Sequence, residues 1–230
     1  MDPVTHAVIG MMIGSKAGGG ISLANGALAA STLGAVAPDL DIVARLWGDY
    51  AYIKHHRGFS HSIPGLALIS ATLAAFLTHL YPGAGFATLA LWAFLGAFSH
   101  SIADLFNSYG VNMLWPFSSK KWTVNLLMIF DPVLYALMVS LIIAGENPVY
   151  NRLAAAGVVF YLFLRFLMRQ WAYYLVKKRL GSKYPGVRVV VLPSLRYYFK
   201  WDFIARLPQR NDVGTVNLMR RRFRLVRRLR

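Results

Sequence analysis

The run Ile63-Pro64-Gly65-Leu66-Ala67-Leu68-Ile69-Ser70-Ala71-Thr72-Leu73-Ala74-Ala75-Phe76-Leu77-Thr78-His79-Leu80 decides how the chain is read. It has no charged residue, and its one imidazole, His79, sits at the far end. At a helical rise of about 1.5 Å per residue it is long enough to approach the roughly 30 Å hydrocarbon core of a bilayer. Ala84 to Ala103 repeats the pattern and stays clean until Ser99, His100 and Ser101. Leu153 to Leu175 is longer and holds Arg165 and Arg169 in its later half. Pro132 to Ala144 is short, but reaches a workable length with Met128–Phe130. Val4–Ser15 and Ser22–Ala37 are apolar and rich in Gly and Ala, separated by Gly18-Gly19-Gly20. They read either as two short spanning helices or as a re-entrant pair, and their small residues favour packing against other helices over lipid. The expected fold class is an all-α polytopic membrane protein, a bundle of about six helices with a small C-terminal cytoplasmic β-rich, basic segment.

Composition supports this. Of 230 residues, 57% are hydrophobic and 15% charged, against about 25% charged in soluble domains. The mean hydropathy of +0.45 argues against a water-soluble globular enzyme. The chain has no cysteine, which removes disulfides, thiolate zinc sites and cysteine nucleophiles. Met1–His6 has neither a basic n-region nor a cleavage site after its apolar run, so it does not read as a removable signal peptide.

Charge divides the chain. Residues 177–230 hold 16 Lys/Arg against Asp202 and Asp212, whereas residues 1–176 hold nine Lys/Arg against seven acids. The expected organisation is a helical membrane domain over 1–180 and a basic tail over 181–230. In the tail, Val187–Val191 and Arg196–Trp201 read as short strands around Pro193-Ser194, and Arg220–Arg228 as a basic, amphipathic ending. Lys and Arg favour the cytoplasmic side, which places the tail, the 105–128 loop and the Arg45–Arg57 loop inside, with both termini cytoplasmic.

On that topology the scarce acids and histidines converge. His6 opens the first helix; Asp39 and Asp41 end the second; His55, His56 and His61 precede the third; His100 and Asp104 end the fourth; Asp131 starts the fifth. All fall at the inner end, and ionisable groups near membrane spans are costly enough to be functional candidates. His100 and Asp104 lie one turn apart on one helical face. Imidazoles and carboxylates without thiolates suit Zn²⁺, with Mn²⁺ or Fe²⁺ as alternatives. The expected metal ligands are His6, Asp39, Asp41, His61, His100 and Asp104, enough donors for one or two divalent ions. His56 and Asp131 are expected as further ligands or as groups orienting the imidazoles.

The order of these motifs resembles a known family. Asp2-x-x-Thr5-His6, Pro38-Asp39-Leu40-Asp41, His56-Arg57-Gly58-x-x-His61-Ser62, His100-x-x-x-Asp104-x-x-Asn107, Pro116-Phe117-Ser118 and Phe130-Asp131-Pro132 are similar to bacterial membrane-bound metal-dependent hydrolases, described as LexA-binding and inner-membrane-associated. The match runs over about residues 1–180. It implies a metal-dependent hydrolase of the bacterial cytoplasmic (inner) membrane and a regulatory protein partner. A more distant similarity is to zinc-dependent phospholipase C, although no histidine follows His100, so the later ligands of that pattern are missing.

The expected activity is hydrolysis of a phosphoester, on a lipid or lipid-linked phosphate, by metal-activated water. Asp39, Asp41 and His56 are the acid–base candidates. Arg57 is the phosphate clamp, since a guanidinium pairs two phosphate oxygens. Asn107, Ser118 and Arg165 are further substrate contacts. The alternatives are a cation-coupled transporter and a membrane-anchored regulatory or interaction protein. For the basic tail, anionic lipid is the favoured partner, at about 1 kcal/mol per basic residue, and nucleic acid the disfavoured one.

Overall fold

The computed structural model of the chain describes residues 1–48, 57–145 and 147–229. The described residues hold six α-helices: α1 (Pro3–Gly14), α2 (Gly26–Val36), α3 (Ile63–Leu80), α4 (Phe86–Leu105), α5 (Pro132–Ile143) and α6 (Pro148–Gly181). A 3-10 segment, Ala37–Trp47, continues α2, and a short one, Phe59–His61, precedes α3. Four strands follow: β1 (Arg188–Pro193), β2 (Lys200–Leu207), β3 (Arg210–Asn217) and β4 (Arg222–Leu229). The chain divides into two compact units, Met1–Val124 with Phe130–Val158, and Asn125–Ile129 with Val159–Arg230.

In the first unit the helix starts follow from short-range chemistry. The side chains of Asp2, Asn25, Ser62 and Asp131 accept backbone N–H groups of α1, α2, α3 and α5, and proline stands in the first turn of α1, α3 and α5, where its missing N–H costs nothing. Helix α2 packs closely against its neighbours, as its small residues imply, with Leu33 left exposed. A Cβ at Gly34 would lie 2.1 Å from the Ala93 carbonyl oxygen, and one at Gly96 would lie 2.0 Å from that of Ser31. Glycine at these positions lets the backbones of α2 and α4 touch. On the other side of α2, Ser31 Oγ donates to Gly10 O of α1 at 2.9 Å. Lys16, just past α1, donates to Leu141 O and Gly145 O at 3.0 and 2.6 Å, pairing a cation with the carbonyl end of α5.

Among the described residues, four segments are long and apolar enough to cross a membrane by length and composition: Gly26–Val43, Ile63–Leu80, Phe86–Leu105 and Pro148–Gly181. Helices α1 and α5, with 12 residues each, reach only about 18 Å. The addition of Met128–Phe130 to α5 is not realised: α5 begins at Pro132, and Asn125–Ile129 belongs to the second unit.

The second unit holds the β-rich C-terminal segment, so the chain as a whole is not all-α. Its sheet is an antiparallel meander in the order β1-β2-β3-β4, and Met168, Ala172, Val176 and Leu180 of α6, each one turn from the next, pack into a core with Val191, Trp201, Phe203, Ala205 and Val216 of the sheet. Of the two strands expected in the tail, Val187–Val191 corresponds to β1. Arg196–Phe199 is a turn, and only Lys200 and Trp201 enter β2. The arginine-rich ending is a strand, β4, paired along β3 with a bulge between Val213 and Gly214.

Candidate metal centre

The centre is assembled in the first unit by chain segments that approach from several directions. Helix α4 brings His100 and Asp104 one turn apart. The 3-10 continuation of α2 brings Asp39, and the 3-10 turn before α3 brings His61. One ligand atom from each of these four residues lies within 4.8 Å of every other. His100 Nε2 is 3.0 Å from His61 Nε2 and 3.5 Å from Asp39 Oδ1; His61 Nε2 is 3.7 Å from both Asp39 Oδ1 and Asp104 Oδ2. A tetrahedral zinc with ligand bonds of about 2.0–2.1 Å holds its ligand atoms about 3.3 Å apart, so the group is close to closed around a cation.

Hydrogen bonding fixes which imidazole atoms face inward. His100 Nδ1 is 2.7 Å from the Ala35 carbonyl oxygen. A carbonyl only accepts, so Nδ1 carries the proton and Nε2 presents its lone pair. Ser60 Oγ donates to Asp41 Oδ2 at 2.8 Å and stands 2.9 Å from His61 Nδ1. With its own proton on Asp41, Ser60 accepts from His61 Nδ1, and His61 Nε2 is also left as a lone pair. Two lone pairs 3.0 Å apart, flanked by two carboxylates, repel each other unless a proton or a metal cation lies between them. The buried nitrogens thus fit a metal, with the outer nitrogen of each imidazole held by an oxygen acceptor as in known metal sites.

Around the four lies a supporting layer. Arg57 is buried, and its Nη2 is 2.8 Å from Asp104 Oδ2, a charge contact without hydrogen-bond alignment. Its Nη1 donates to Asn107 Oδ1 at 3.1 Å, and Asn107 Nδ2 donates to Asp104 Oδ1 at 2.7 Å. The Arg57 backbone takes a left-handed φ of 61°, a costly conformation for a side-chain-bearing residue. It is held by the Arg57 N–H donating to Asp41 Oδ2 at 3.0 Å and by Arg57 O accepting from Asn112 N at 3.2 Å. Ser101 Oγ donates to His61 O at 3.0 Å, tying α4 to the turn before α3.

The remaining expected residues fall in different places. Asp41 stands behind His61, its Oδ2 3.6 Å from Nδ1, the nitrogen that faces away from the cluster. His6 is fully buried beside the cluster, stacked on His100 with ring centroids 3.6 Å apart, and its Nε2 is 3.4 Å from Asp104 Oδ1. Among the described residues neither His6 ring nitrogen has a hydrogen-bond partner, and the Met1 amine also contacts Asp104 Oδ1. Asp131 is the N-cap of α5. Ser118 accepts from Lys120 N within its own loop at 3.2 Å. His55 and His56 lie outside the described residues. Arg165 belongs to the second unit: Nε and Nη2 donate to Leu126 O at 3.1 and 2.9 Å, Nη1 donates to Tyr198 O at 3.2 Å, and the guanidinium faces the rings of Tyr198 and Trp201. Sequence reasoning missed Ser60, Ser101 and the Ala35 carbonyl. The two serines have no distinguishing pattern, and a backbone carbonyl leaves no trace in sequence.

Residues 1–172, which contain the whole cluster, match the family described as YdjM inner membrane protein. The chain belongs to that family. With its apolar helices, membership makes this an inner membrane protein. The chain is also similar to the uncharacterized protein YfhP of Bacillus subtilis (strain 168), with 38% identity over 141 residues. That alignment covers 59% of this chain and 43% of the relative, so the chain matches less than half of the relative's length. No solved structure matches the chain. In the YdjM family, then, this chain brings two buried imidazoles and two carboxylates together in a group that could hold a metal ion.

Proposed function

We propose that the chain is a membrane-embedded metal-dependent hydrolase of a phosphoester, with a lipid or lipid-linked substrate taken from the cytoplasmic leaflet. The observation that carries the reading is the convergence of Asp39, His61, His100 and Asp104, with one ligand atom of each within 4.8 Å of the others and the two imidazole Nε2 atoms 3.0 Å apart. Two imidazoles and two carboxylates favour Zn²⁺, ahead of Mn²⁺ or Fe²⁺. A bound divalent cation supplies Lewis acidity, polarising a phosphoryl oxygen and acidifying water.

The chain's own residues divide the remaining work. His61, His100 and Asp104 are fully buried, whereas the Asp39 side chain is 18% exposed. Substrate therefore approaches past Asp39, whose carboxylate is placed to take the proton of an attacking water. Arg57 fixes Asp104 and adds a permanent positive charge beside the cluster, which favours an anionic ester. Asn107 holds both Asp104 and Arg57 in place. Asp41 and Ser60 set the His61 tautomer and act as positioning residues.

The test is phosphate release from phosphatidic acid and a polyprenyl phosphate, and chromophore release from a chromogenic phosphodiester, by the detergent-purified, zinc-replete protein. The expected result is turnover of at least one ester, abolished by chelation and by His100→Ala. A protein that holds one zinc per chain but hydrolyses none of them above the variant background would overturn the enzyme reading while leaving the metal site intact.

A further inference from the structure

We infer that the second unit carries a pocket for the phosphate headgroup of an anionic phospholipid, built by the end of α6 and the β3–β4 corner of the sheet. A cavity of about 620 Å³ there is lined by four cations, Lys178, Arg179, Lys183 and Arg221, together with the Ser182 hydroxyl. They come from two segments far apart in sequence, so the fold, rather than a run of like charge, collects them. Val216 and Phe223 form an apolar wall, which lowers the local dielectric and strengthens attraction for an anion.

Nothing acidic competes for these charges in the described ion pairs. The second unit has two acids, Asp202 and Asp212, and Asp212 is held by Arg210 at 2.9 Å. Three of the cations rest on rings instead: Lys178 over Tyr174, Lys183 over Tyr184 and Arg221 over Trp171, at 5.9, 5.7 and 6.0 Å. Such contacts leave the N–H donors available to an anion.

The choice of a lipid over a free phosphate comes from the helix whose end lines the cavity. Helix α6 is itself long and apolar enough to cross a membrane. Just before the cavity it exposes Trp171, Tyr173 and Tyr174, and Lys177, Lys178 and Arg179 follow directly. The sheet covers the opposite face of this stretch, at Met168, Ala172, Val176 and Leu180, so the stretch lies outside the hydrocarbon, where exposed aromatic and basic side chains meet the headgroup layer. The inference does not depend on the chemistry proposed for the metal centre.

The experiment is native mass spectrometry of the full chain in detergent, titrated with phosphatidylglycerol or phosphatidylcholine. The pocket variant Lys178→Gln/Lys183→Gln/Arg221→Asn is compared with Arg196→Gln/Arg206→Gln/Arg224→Gln, which removes equal charge from exposed positions outside the cavity. Asparagine is chosen at 221 because that residue has a φ of 46°, which Asn tolerates. The expected result is preferential retention of phosphatidylglycerol, weakened about tenfold or more in the pocket variant and less than about twofold in the control. Equal loss in both variants, no loss in either, or displacement of the lipid by millimolar inorganic phosphate added to the same titration would each overturn it. Should the triple variant fail to fold, Lys183→Gln alone is expected to weaken retention about threefold, and an unchanged affinity would count against the pocket equally.

Discussion

Gly96→Ala, a single added methyl, should loosen the metal centre from one helical turn away. The Cβ would fall 2.0 Å from the Ser31 carbonyl oxygen, where ordinary contact begins near 3.4 Å, so α2 and α4 must separate locally by about 1.4 Å. The obstacle is backbone, and no rotamer change relieves it. Four residues further along each helix stand His100 and Ala35, joined by the 2.7 Å contact that fixes the His100 tautomer. Asp39 follows Ala35 by another four residues. A separation of that size, even half transmitted, takes the His100–Ala35 contact to the edge of hydrogen bonding and spreads His100 Nε2 from Asp39 Oδ1, now 3.5 Å apart. Overpacking of this kind costs about 1–3 kcal/mol, and loss of an outer partner of a metal-bound imidazole costs about 10–100-fold in metal affinity. The assay is zinc affinity by chelator competition, with thermal unfolding in the same detergent. Gly83→Ala is the control, since its Cβ would meet nothing within 4 Å. A Gly96→Ala protein with unchanged melting and zinc affinity within twofold of wild type would refute the claimed coupling between helix packing and the site.

Other expectations follow from single contacts. Ser60→Ala removes the acceptor that orients His61, and zinc affinity should fall about tenfold with little change in melting temperature; chelator competition reads it. Arg165→Met leaves the Leu126 and Tyr198 carbonyls without their donor and should cost about 2–4 kcal/mol, seen as a lowered unfolding midpoint. Burial raises the pKa of Asp202 above the usual carboxylate range, and the nearby Lys200 opposes this only in part. The folded state therefore favours the protonated form, and stability is lost as pH rises past the unfolded value of about 4. Asp202→Asn should melt above wild type at pH 7, with the difference vanishing below about pH 4.

Much of the first unit was legible because its signals are local. Ile63–Leu80 reads as an apolar helix from its own composition, and α3 has those same bounds. The His100/Asp104 spacing announces a shared helical face. Asp39 and Asp41 show where such reading ends. In a 3-10 segment, with about three residues per turn, positions two apart point in different directions, and Asp39 faces the cluster while Asp41 turns to Ser60 and the Arg57 N–H. Helix α6 shows another limit: an apolar face looks the same whether lipid or a sheet covers it, so Arg165 read as a cation within a span. In the structure it is buried among carbonyls and rings of the second unit. The terminal arginines concealed β4, because a run of like charge masks the alternation that marks a strand.

Metal analysis of the purified full chain bears most directly on the whole account. Loaded with zinc and freed of excess, wild type should retain about one ion per chain. His61→Ala, His100→Ala and Asp104→Asn should each retain far less while still folding. Wild type without stoichiometric metal, or variants that keep it, would contradict the assignment of Asp39, His61, His100 and Asp104 as the ligands of one cation.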